Sequence, residues 1–133
     1  MILGIGTDIV DLDRIAKAVE RHGNRFATRC FSQAEQELAM GRIATNQHIR
    51  TYATRWAAKE ACAKALGIGF RDGLYLRDIS TVSGAYGKPQ MTLHGKAYQM
   101  YQTMIPDDMQ GRIHVSLSDE KNTVMAFVII EAV

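Results

Sequence analysis

A long alanine-rich segment in the middle of the chain constrains the fold more than any other feature of the sequence. It contains no proline or glycine between Gln47 and Leu66, and Gly67 follows it directly. Asn46 is a suitable N-terminal cap, and glycine is the residue that most often follows a helix. The sequence therefore predicts one long helix from about Gln47 to Leu66, and the rest of the chain must pack around it.

Length and composition place the chain among ordinary globular proteins. Its 133 residues correspond to one domain, so residues 1–133 are expected to form a single domain. Apolar residues make up 47% and charged residues 23%, which excludes a disordered chain. The net charge of +2 gives no general reason to expect a nucleic-acid partner.

The sequence carries no signal for export or for membrane insertion. The longest apolar run, Val124 to Ile130, is too short to cross a bilayer. The acidic N-terminal segment lacks the basic start of a signal peptide. We therefore expect a cytoplasmic protein in which Cys30 and Cys62, which lack metal-ligand spacing, are reduced thiols.

Patterns elsewhere predict an α+β fold in which antiparallel strands pack against helices, including the long central one. A helix that starts near Asp11 or Asp13 is expected to continue past Gly23. Ser32 and Glu35 form a capping-box pattern for a short helix that ends near Met40. The remaining predicted elements are a first strand at 2–10, a hairpin of strands 78–83 and 90–94, a helix from His94 to Met104, and a hairpin of strands 112–117 and 123–131 around a turn at 118–122.

Glu60 occupies an unusual place on the long helix. At roughly 100° per residue it falls near the middle of the face that should be buried, which is formed by Ile49, Tyr52, Ala53, Trp56 and Ala63. An isolated ionised carboxylate is costly there unless a positive group meets it. A buried ion pair would explain this placement, and so would a role as a metal ligand or catalytic carboxylate.

Asp8 is the second carboxylate in an apolar setting. It lies near the end of the first strand, on the face that carries Gly4 and Gly6 and opposite the face of Ile5 and Ile9. It could cap the next helix, or it could bind the same ion as Glu60. Two carboxylates without a His or Cys cluster suit a hard cation such as Mg²⁺, whose remaining ligands are water and substrate phosphate.

The first predicted helix carries a stripe of basic side chains. They follow one another at intervals of three or four residues and would lie within a band of roughly 120° on one continuous helix: Arg14, Lys17, Arg21, Arg25 and Arg29. A solvated charged face would account for the stripe. It also suits an acidic partner such as a protein helix, a phosphate-rich ligand or a nucleic-acid backbone.

Three weaker patterns also suggest phosphate or ligand contacts. Lys59 and Lys64 flank Glu60, and either could contact phosphate. Gly67 and Gly69 could let backbone N–H groups approach a phosphate, although a helix stop is the simpler reading. A polar strand face formed by His114, Ser116 and Ser118 could face either water or a ligand groove.

Four motifs, in order and spacing, resemble those of the holo-acyl-carrier-protein synthases. They are residues 4–11 (GIGTDIVD), 55–67 (RWAAKEACAKALG), 87–89 (GKP) and 114–118 (HVSLS). The resemblance extends over essentially the whole chain, and the first two motifs together are specific. One departure is Asp119, where many members of the family carry a histidine.

The resemblance implies the 4′-phosphopantetheinyl transferase fold and reaction. Such an enzyme of fatty acid biosynthesis moves the phosphopantetheine arm of coenzyme A to a serine of apo-acyl carrier protein and releases adenosine 3′,5′-bisphosphate. It also implies a homotrimer with each site between neighbouring subunits. Mg²⁺ would be the cofactor, and coenzyme A and acyl carrier protein the partners.

The same resemblance assigns roles to individual residues. Asp8 and Glu60 would hold Mg²⁺, and Glu60 and Lys64 would be the catalytic residues. Coenzyme A would be bound by Arg55, Lys64, Gly67, Gly69, Lys88, Pro89, His114 and Ser116. The acidic carrier protein would dock on Arg14, Arg21 and Arg25.

Rival functions remain open at the level of sequence. A non-catalytic module that binds coenzyme A or a nucleotide would need the phosphate contacts but not two converging carboxylates. A nucleic-acid-binding protein would use the basic stripe, but no aromatic residues interleave with it for base stacking. A purely structural subunit would leave Glu60 without a purpose.

Overall fold

The computed structural model describes residues 1–67, 69–70 and 73–133. Its strands pair antiparallel and it contains several helices, so the α+β prediction is confirmed. In chain order they are β1 (Ile2–Asp11), α1 (Leu12–His22), α2 (Asn24–Cys30), α3 (Gln33–Met40), α4 (His48–Leu66), β2 (Ile79–Ser83), β3 (Pro89–Leu93), α5 (Gly95–Met104), β4 (Gly111–Glu120) and β5 (Thr123–Ala132).

Helix α4 is the long central helix that the sequence predicts. It ends at Gly67, which adopts a left-handed conformation with φ 90° and donates its N–H to the carbonyl of Ala63. The predicted Asn46 cap is wrong, because Asn46 has φ 58° and Gln47 occupies the cap position without a side-chain bond. Most of the helix is buried, so the single apolar face predicted for it is too narrow.

Strands β1, β5 and β4 form an antiparallel sheet in that order. The centre is β5, where Phe127 pairs with Thr7 on one side and with Ser116 on the other. The β4–β5 turn contains only residues 121–122, because Glu120 already pairs with Thr123. The turn predicted at 118–122 is therefore too long, and both strands extend further than the sequence indicated.

One face of β1 packs directly against α4. A Cβ added to Gly6 would lie 1.9 Å from the carbonyl oxygen of Ala61, and one added to Gly4 would lie 2.1 Å from that of Ala65. Only glycine permits this approach of a strand backbone to a helix backbone. Asp8 shares this face, so the close contact brings its carboxylate towards the C-terminal half of α4.

The other face of the sheet is open. Ile5 and Ile9 are 57% and 66% exposed, and Met125, which pairs with Ile9, is 42% exposed. The predicted alternation along β1 is therefore confirmed, but the face with the large apolar residues is the uncovered one. The small-residue face accepts the helix because bulkier side chains would hold the helix away.

The first predicted helix is two helices. Gly23 has φ 50° and ψ −124°, ends α1 and precedes α2, so the expectation that the helix continues through it is wrong. Its N–H bonds to the carbonyl of Val19, which closes the last turn of α1. Arg25 and Arg29 consequently lie on α2, and the single-wheel argument for the basic stripe does not reach them.

The smaller elements agree with the sequence prediction. Strands β2 and β3 pair antiparallel, with Ser83 opposite Pro89 at the turn. The capping box of α3 is present, since Ser32 accepts the Glu35 N–H at 3.2 Å and Glu35 accepts the Ser32 N–H at 3.0 Å. Both cysteines are free. Within the described residues, no helix is both long and apolar enough to cross a membrane.

Candidate active site

The packing of β1 on α4 brings Glu60 and Asp8 close enough for their charges to interact. Glu60 is half-buried. Burial is the largest cause that raises the pKa of Glu60, and the Asp8 charge raises it further. Arg14 and Lys64 act in the opposite direction. The two carboxylates therefore repel each other, while Arg14 and Lys64 favour the charged form of Glu60 without returning its pKa to the usual value.

Lys64 joins this pair of carboxylates from the last turn of α4. Its Nζ donates to Asp8 Oδ1 at 3.2 Å and to the carbonyl oxygen of Thr7 at 2.8 Å. Asp8 does not cap the next helix, because the cap position of α1 is Asp11. The sequence-predicted residues Asp8, Glu60 and Lys64 thus form one cluster, which we call the carboxylate cluster.

The carboxylate cluster suits a hard cation. Across residues 1–67, 69–70 and 73–133, no group of three or more His, Cys, Asp or Glu residues is placed to hold a metal. Mg²⁺ does not require such a group, because one or two carboxylates suffice when water and substrate phosphates fill its octahedral shell. A cation between Asp8 and Glu60 would also relieve the repulsion that raises the pKa of Glu60.

The basic residues of α1 begin beside this cluster. The Arg14 guanidinium lies 5.6 Å from the centre of the Trp56 ring, in a cation–π arrangement, and its charge acts on Glu60. Arg14, Lys17 and Arg21 line a surface groove of about 530 Å³, which also contains two acidic residues. On α2, Arg25 and Arg29 line a depression of about 260 Å³. The basic side chains are therefore exposed on consecutive helices.

A second site is a cavity of about 460 Å³ at the N-terminal half of α4, which we call the arginine cavity. Three arginines and one acidic residue line it: Arg42, Arg50, Arg55 and Asp119. Arg50 lies 3.3 Å from Asp119 and donates to the carbonyl oxygen of Lys121 at 2.8 Å. Positive charge therefore exceeds negative charge in the cavity wall, which favours an anionic ligand such as a phosphate.

Arg55 is the most deeply buried of these three arginines. It is 6% exposed, and its guanidinium donates to the carbonyl oxygen of Thr81 at 3.2 Å and to Thr54 Oγ1 at 3.0 Å. Burial and then the Arg42 charge lower the pKa of Arg55, and Glu35 partly offsets them. A buried guanidinium that bonds only neutral groups of the described chain is well placed to receive an anion.

Two of the other residues predicted to bind coenzyme A, His114 and Ser116, lie apart from the arginine cavity. His114 and Ser116 are exposed on the open sheet face, where His114 Nε2 lies 3.2 Å from Glu131 Oε1. Lys88 and Pro89 are at the β2–β3 turn, where Pro89 pairs with Ser83. This turn is near Arg55, because Ser83 accepts a long hydrogen bond from the Arg55 guanidinium. Within a single chain, His114 and Ser116 therefore do not lie beside Arg55.

The segment after α4 is described only in part. Gly67 and Gly69 have positive φ angles, and no atom of residues 1–67, 69–70 or 73–133 lies within 4 Å of a Cβ added to either. Residues 68, 71 and 72 of the predicted loop lie outside the described residues. The role of the two glycines in an approach to phosphate stays a prediction.

Two functional features escaped the sequence argument. Arg42 and Arg50 were not singled out, because residues before the recognised motif show no spacing that unites them with Arg55. Lys59 was considered for a phosphate contact, but it is fully buried and bonded to Glu35 and to the carbonyl oxygen of Ile79. The only signal for Glu35 was its place in the capping box.

Comparison with known proteins is decisive for the family. The family model of the 4′-phosphopantetheinyl transferase superfamily matches residues 4–124. The chain belongs to this superfamily. The match spans the carboxylate cluster and the residues that line the arginine cavity, and it confirms the resemblance drawn from the four motifs.

Individual phosphopantetheinyl transferases are similar to this chain over nearly their whole length. A holo-[acyl-carrier-protein] synthase of Nitrobacter winogradskyi is 48% identical, over 99% of this chain and 96% of that protein. The crystal structure of the Neisseria meningitidis enzyme of the same name has a TM-score of 0.81 at 37% identity, covering 98% of this chain and 99% of that one. The Helicobacter pylori enzyme in complex with coenzyme A has a TM-score of 0.77 at 28% identity, covering 96% and 99%.

Proposed function

We infer that the protein transfers the 4′-phosphopantetheine group of coenzyme A to a serine of apo-acyl carrier protein, with release of adenosine 3′,5′-bisphosphate. Its similarity over the full chain to holo-[acyl-carrier-protein] synthases supports this function. The observation in this chain that carries it is the carboxylate cluster, where Asp8 accepts a bond from Lys64 and acts on Glu60. The proposal assigns the enzyme to the cytoplasm.

Asp8 and Glu60 would hold Mg²⁺ in this reaction. When bound, the ion supplies positive charge that neutralises oxygens of the pyrophosphate undergoing transfer. Lys64, whose side chain is half-exposed beside Asp8, donates to the same phosphates and stabilises their charge. Glu60 and Lys64 are thus the residues of this chain that act at the reacting centre.

The nucleophile comes from the carrier protein. Burial raises the pKa of the Cys62 thiol to about 12 and also raises that of Cys30, so neither cysteine is activated for attack. A serine supplied by the partner needs only to be held in line with the phosphorus atom that it attacks. Because the nucleophile belongs to the carrier protein, the enzyme needs an extended surface on which that protein docks.

The arginine cavity receives the nucleotide end of coenzyme A. That end carries a 3′-phosphate monoester, which is close to a dianion at neutral pH. The surplus positive charge around Arg55 complements such a group, and Arg42 and Arg50 add to it. Lys88 and Pro89, at the nearby hairpin turn, contact the adenosine, and the open backbone at Gly67 and Gly69 approaches the pyrophosphate.

We further propose a homotrimer in which the open sheet face packs against a neighbouring subunit. Exposed Ile5, Ile9 and Met125 form an apolar surface on this face, which gains free energy when a second copy covers it. His114 and Ser116 share the face and would then contribute to the neighbour's coenzyme A site. Light scattering tests the assembly, with three chain masses expected and a monomer contradicting it.

Intact-mass spectrometry tests the reaction. The protein is incubated with coenzyme A, Mg²⁺ and an apo-acyl carrier protein, with EDTA as the control. We expect the carrier protein to gain about 340 Da, the mass of one phosphopantetheine arm, and EDTA to abolish the gain. No gain with several carrier proteins, from a folded protein that binds coenzyme A, would favour the non-catalytic binding module.

Charge reversal tests the docking surface formed by Arg14, Arg21 and Arg25. We expect Arg21→Glu to raise the KM for acyl carrier protein by about tenfold or more, because it opposes an acidic helix with like charge. The KM for coenzyme A should not change. Lys96→Glu, which reverses the charge of an exposed residue on α5, is the matched control. An equal loss for both substrates would argue against docking at this face.

A further inference from the structure

We propose that Glu35, which lies outside both sites, is a positioning residue that orients Arg55 for recognition of the 3′-phosphate of coenzyme A. This inference rests on the proposed function of the arginine cavity. It assigns a determinant of donor selectivity to a residue of helix α3. The connection between the two side chains runs through the free edge of strand β2.

The carboxylate of Glu35 is buried and uses both of its oxygens. Its side chain is 1% exposed. Oε1 accepts the N–H of Ser32 at 3.0 Å and a bond from Lys59 Nζ, while Oε2 accepts the N–H of Thr81 at 3.0 Å. All three partners are donors, so an ionised carboxylate satisfies them together. A glutamine amide would direct its own N–H₂ group at one of these donors.

Strand β2 has one paired edge and one edge that side chains occupy. It pairs with β3 on one side, Thr81 lying opposite Met91. On the other side, the carbonyl of Ile79 accepts from Lys59, the N–H of Thr81 donates to Glu35, and the carbonyl of Thr81 accepts from Arg55. These three groups follow the order of a strand ladder, so two helices replace a missing third strand.

Lys59 and Arg55 are one helical turn apart on α4, which matches the spacing of alternate residues along β2. Glu35 bonds to the strand between them. It is the ion-pair partner of Lys59, and its charge also acts on Arg55, where it offsets the effects of burial and of Arg42. One carboxylate therefore compensates two buried cations and fixes the strand edge to which the second one is bonded.

Loss of the Glu35 charge should release Arg55 from this orientation. Without it, Lys59 would be a buried cation without a contacting counter-ion, Arg55 would lose the charge that partly offsets its burial, and the Thr81 peptide would lose the group that holds its N–H. The guanidinium of Arg55 would then meet the 3′-phosphate in poorer geometry. Ligands that lack this phosphate would be bound as before.

Calorimetric binding of coenzyme A and of 3′-dephospho-coenzyme A, which lacks only that phosphate, provides the test. We expect Glu35→Gln to weaken binding of coenzyme A by about 10- to 100-fold, the range expected for a charge-assisted bond. Binding of 3′-dephospho-coenzyme A should change by less than about threefold. Arg55→Lys should show the same selective loss, and adding Glu35→Gln to it should cause little more.

Three further variants separate positioning from stability. Ser32→Ala removes the capping bond but keeps the carboxylate, so it should lower stability without changing the ratio of the two dissociation constants. Lys59→Met and the double variant Glu35→Gln/Lys59→Met both lack the buried ion pair, and the double variant serves if Glu35→Gln does not fold. We expect the single variant to keep the preference for coenzyme A and the double variant to lose it.

The outcomes distinguish this inference from the proposed function. Equal binding of the two donors by the unmodified protein, or an unchanged ratio in the Glu35 variants, would overturn the positioning role. Failure of the transfer reaction in a protein that still shows the selective binding would instead count against the proposed enzyme. A selective loss in the Glu35 variants supports the role whether or not turnover is measured.

Discussion

Replacing Glu60 by glutamine, or Asp8 by asparagine, is expected to lower the rate of phosphopantetheine transfer by about 10³-fold or more. Each change keeps the shape of the side chain but removes one negative ligand of the proposed cation. Loss of a positioned charge at a phosphoryl centre costs several kcal/mol of barrier, and each 1.4 kcal/mol corresponds to about tenfold in rate. Single-turnover transfer, followed by the mass of the carrier protein, measures the effect.

Stability measurements exclude misfolding as the cause. Burial and the Asp8 charge raise the pKa of Glu60, so the unliganded protein gains stability when one carboxylate is neutralised. In EDTA, the Tm of Glu60→Gln should therefore equal or exceed that of the unmodified protein. Mg²⁺ should raise the Tm of the unmodified protein but not that of the variant, because only the former binds the ion.

Asp107→Asn is a suitable control, since it removes an exposed carboxylate from the loop after α5. It should change neither transfer nor the response to Mg²⁺. The assignment of Asp8 and Glu60 would be wrong if both amide variants folded normally and transferred the group at nearly the unmodified rate. It would also be wrong if Mg²⁺ stabilised Glu60→Gln as much as the unmodified protein.

Gly6→Ala is expected to destabilise the protein by about 3 kcal/mol or more, a large effect for the addition of one methyl group. The new Cβ would lie 1.9 Å from the carbonyl oxygen of Ala61. That atom belongs to the backbone of α4 and cannot rotate away as a side chain would. Strand and helix must separate, which also moves Asp8 away from Glu60.

Urea denaturation of Gly6→Ala and Gly41→Ala gives the comparison. Gly41 has φ −65°, and the atoms nearest to an added Cβ are 3.5 Å away, so alanine fits there and should cost less than about 1 kcal/mol. If the two variants lost similar stability, the close packing of β1 on α4 would not be what requires glycine at position 6.

Local rules predicted the parts of the molecule that depend on neighbours in sequence. The end of α4 at Gly67 and the capping box at Ser32 follow from backbone conformation and short hydrogen bonds. Strand alternation predicted that Asp8 lies on the same face of β1 as Gly4 and Gly6, and the helical wheel predicted that Glu60 faces the interior. These two rules were enough to suggest that the carboxylates meet.

Prediction from the sequence was wrong or incomplete where the structure depends on contacts between residues far apart in the chain. It was also wrong where a residue such as glycine can either continue or end a helix. Lys59 and Glu35 are far apart in the chain, and no periodicity links a capping residue to a buried lysine. Gly23 ends a helix although glycine is often tolerated within one. The separation of His114 from Arg55 was not predictable from these patterns, because a helical or strand pattern describes one element and carries no information about how separate elements are placed.

The central position of β5 has a consequence for the order of folding during synthesis. Its neighbours β1 and β4 both precede it in the chain, and they do not pair with each other. While the ribosome is still making β5, β1 lacks the one strand that it pairs with in the described part of the chain, and the three-stranded sheet cannot form. The strand pairing that holds the Asp8 strand within this sheet therefore forms late, only after β5 has emerged.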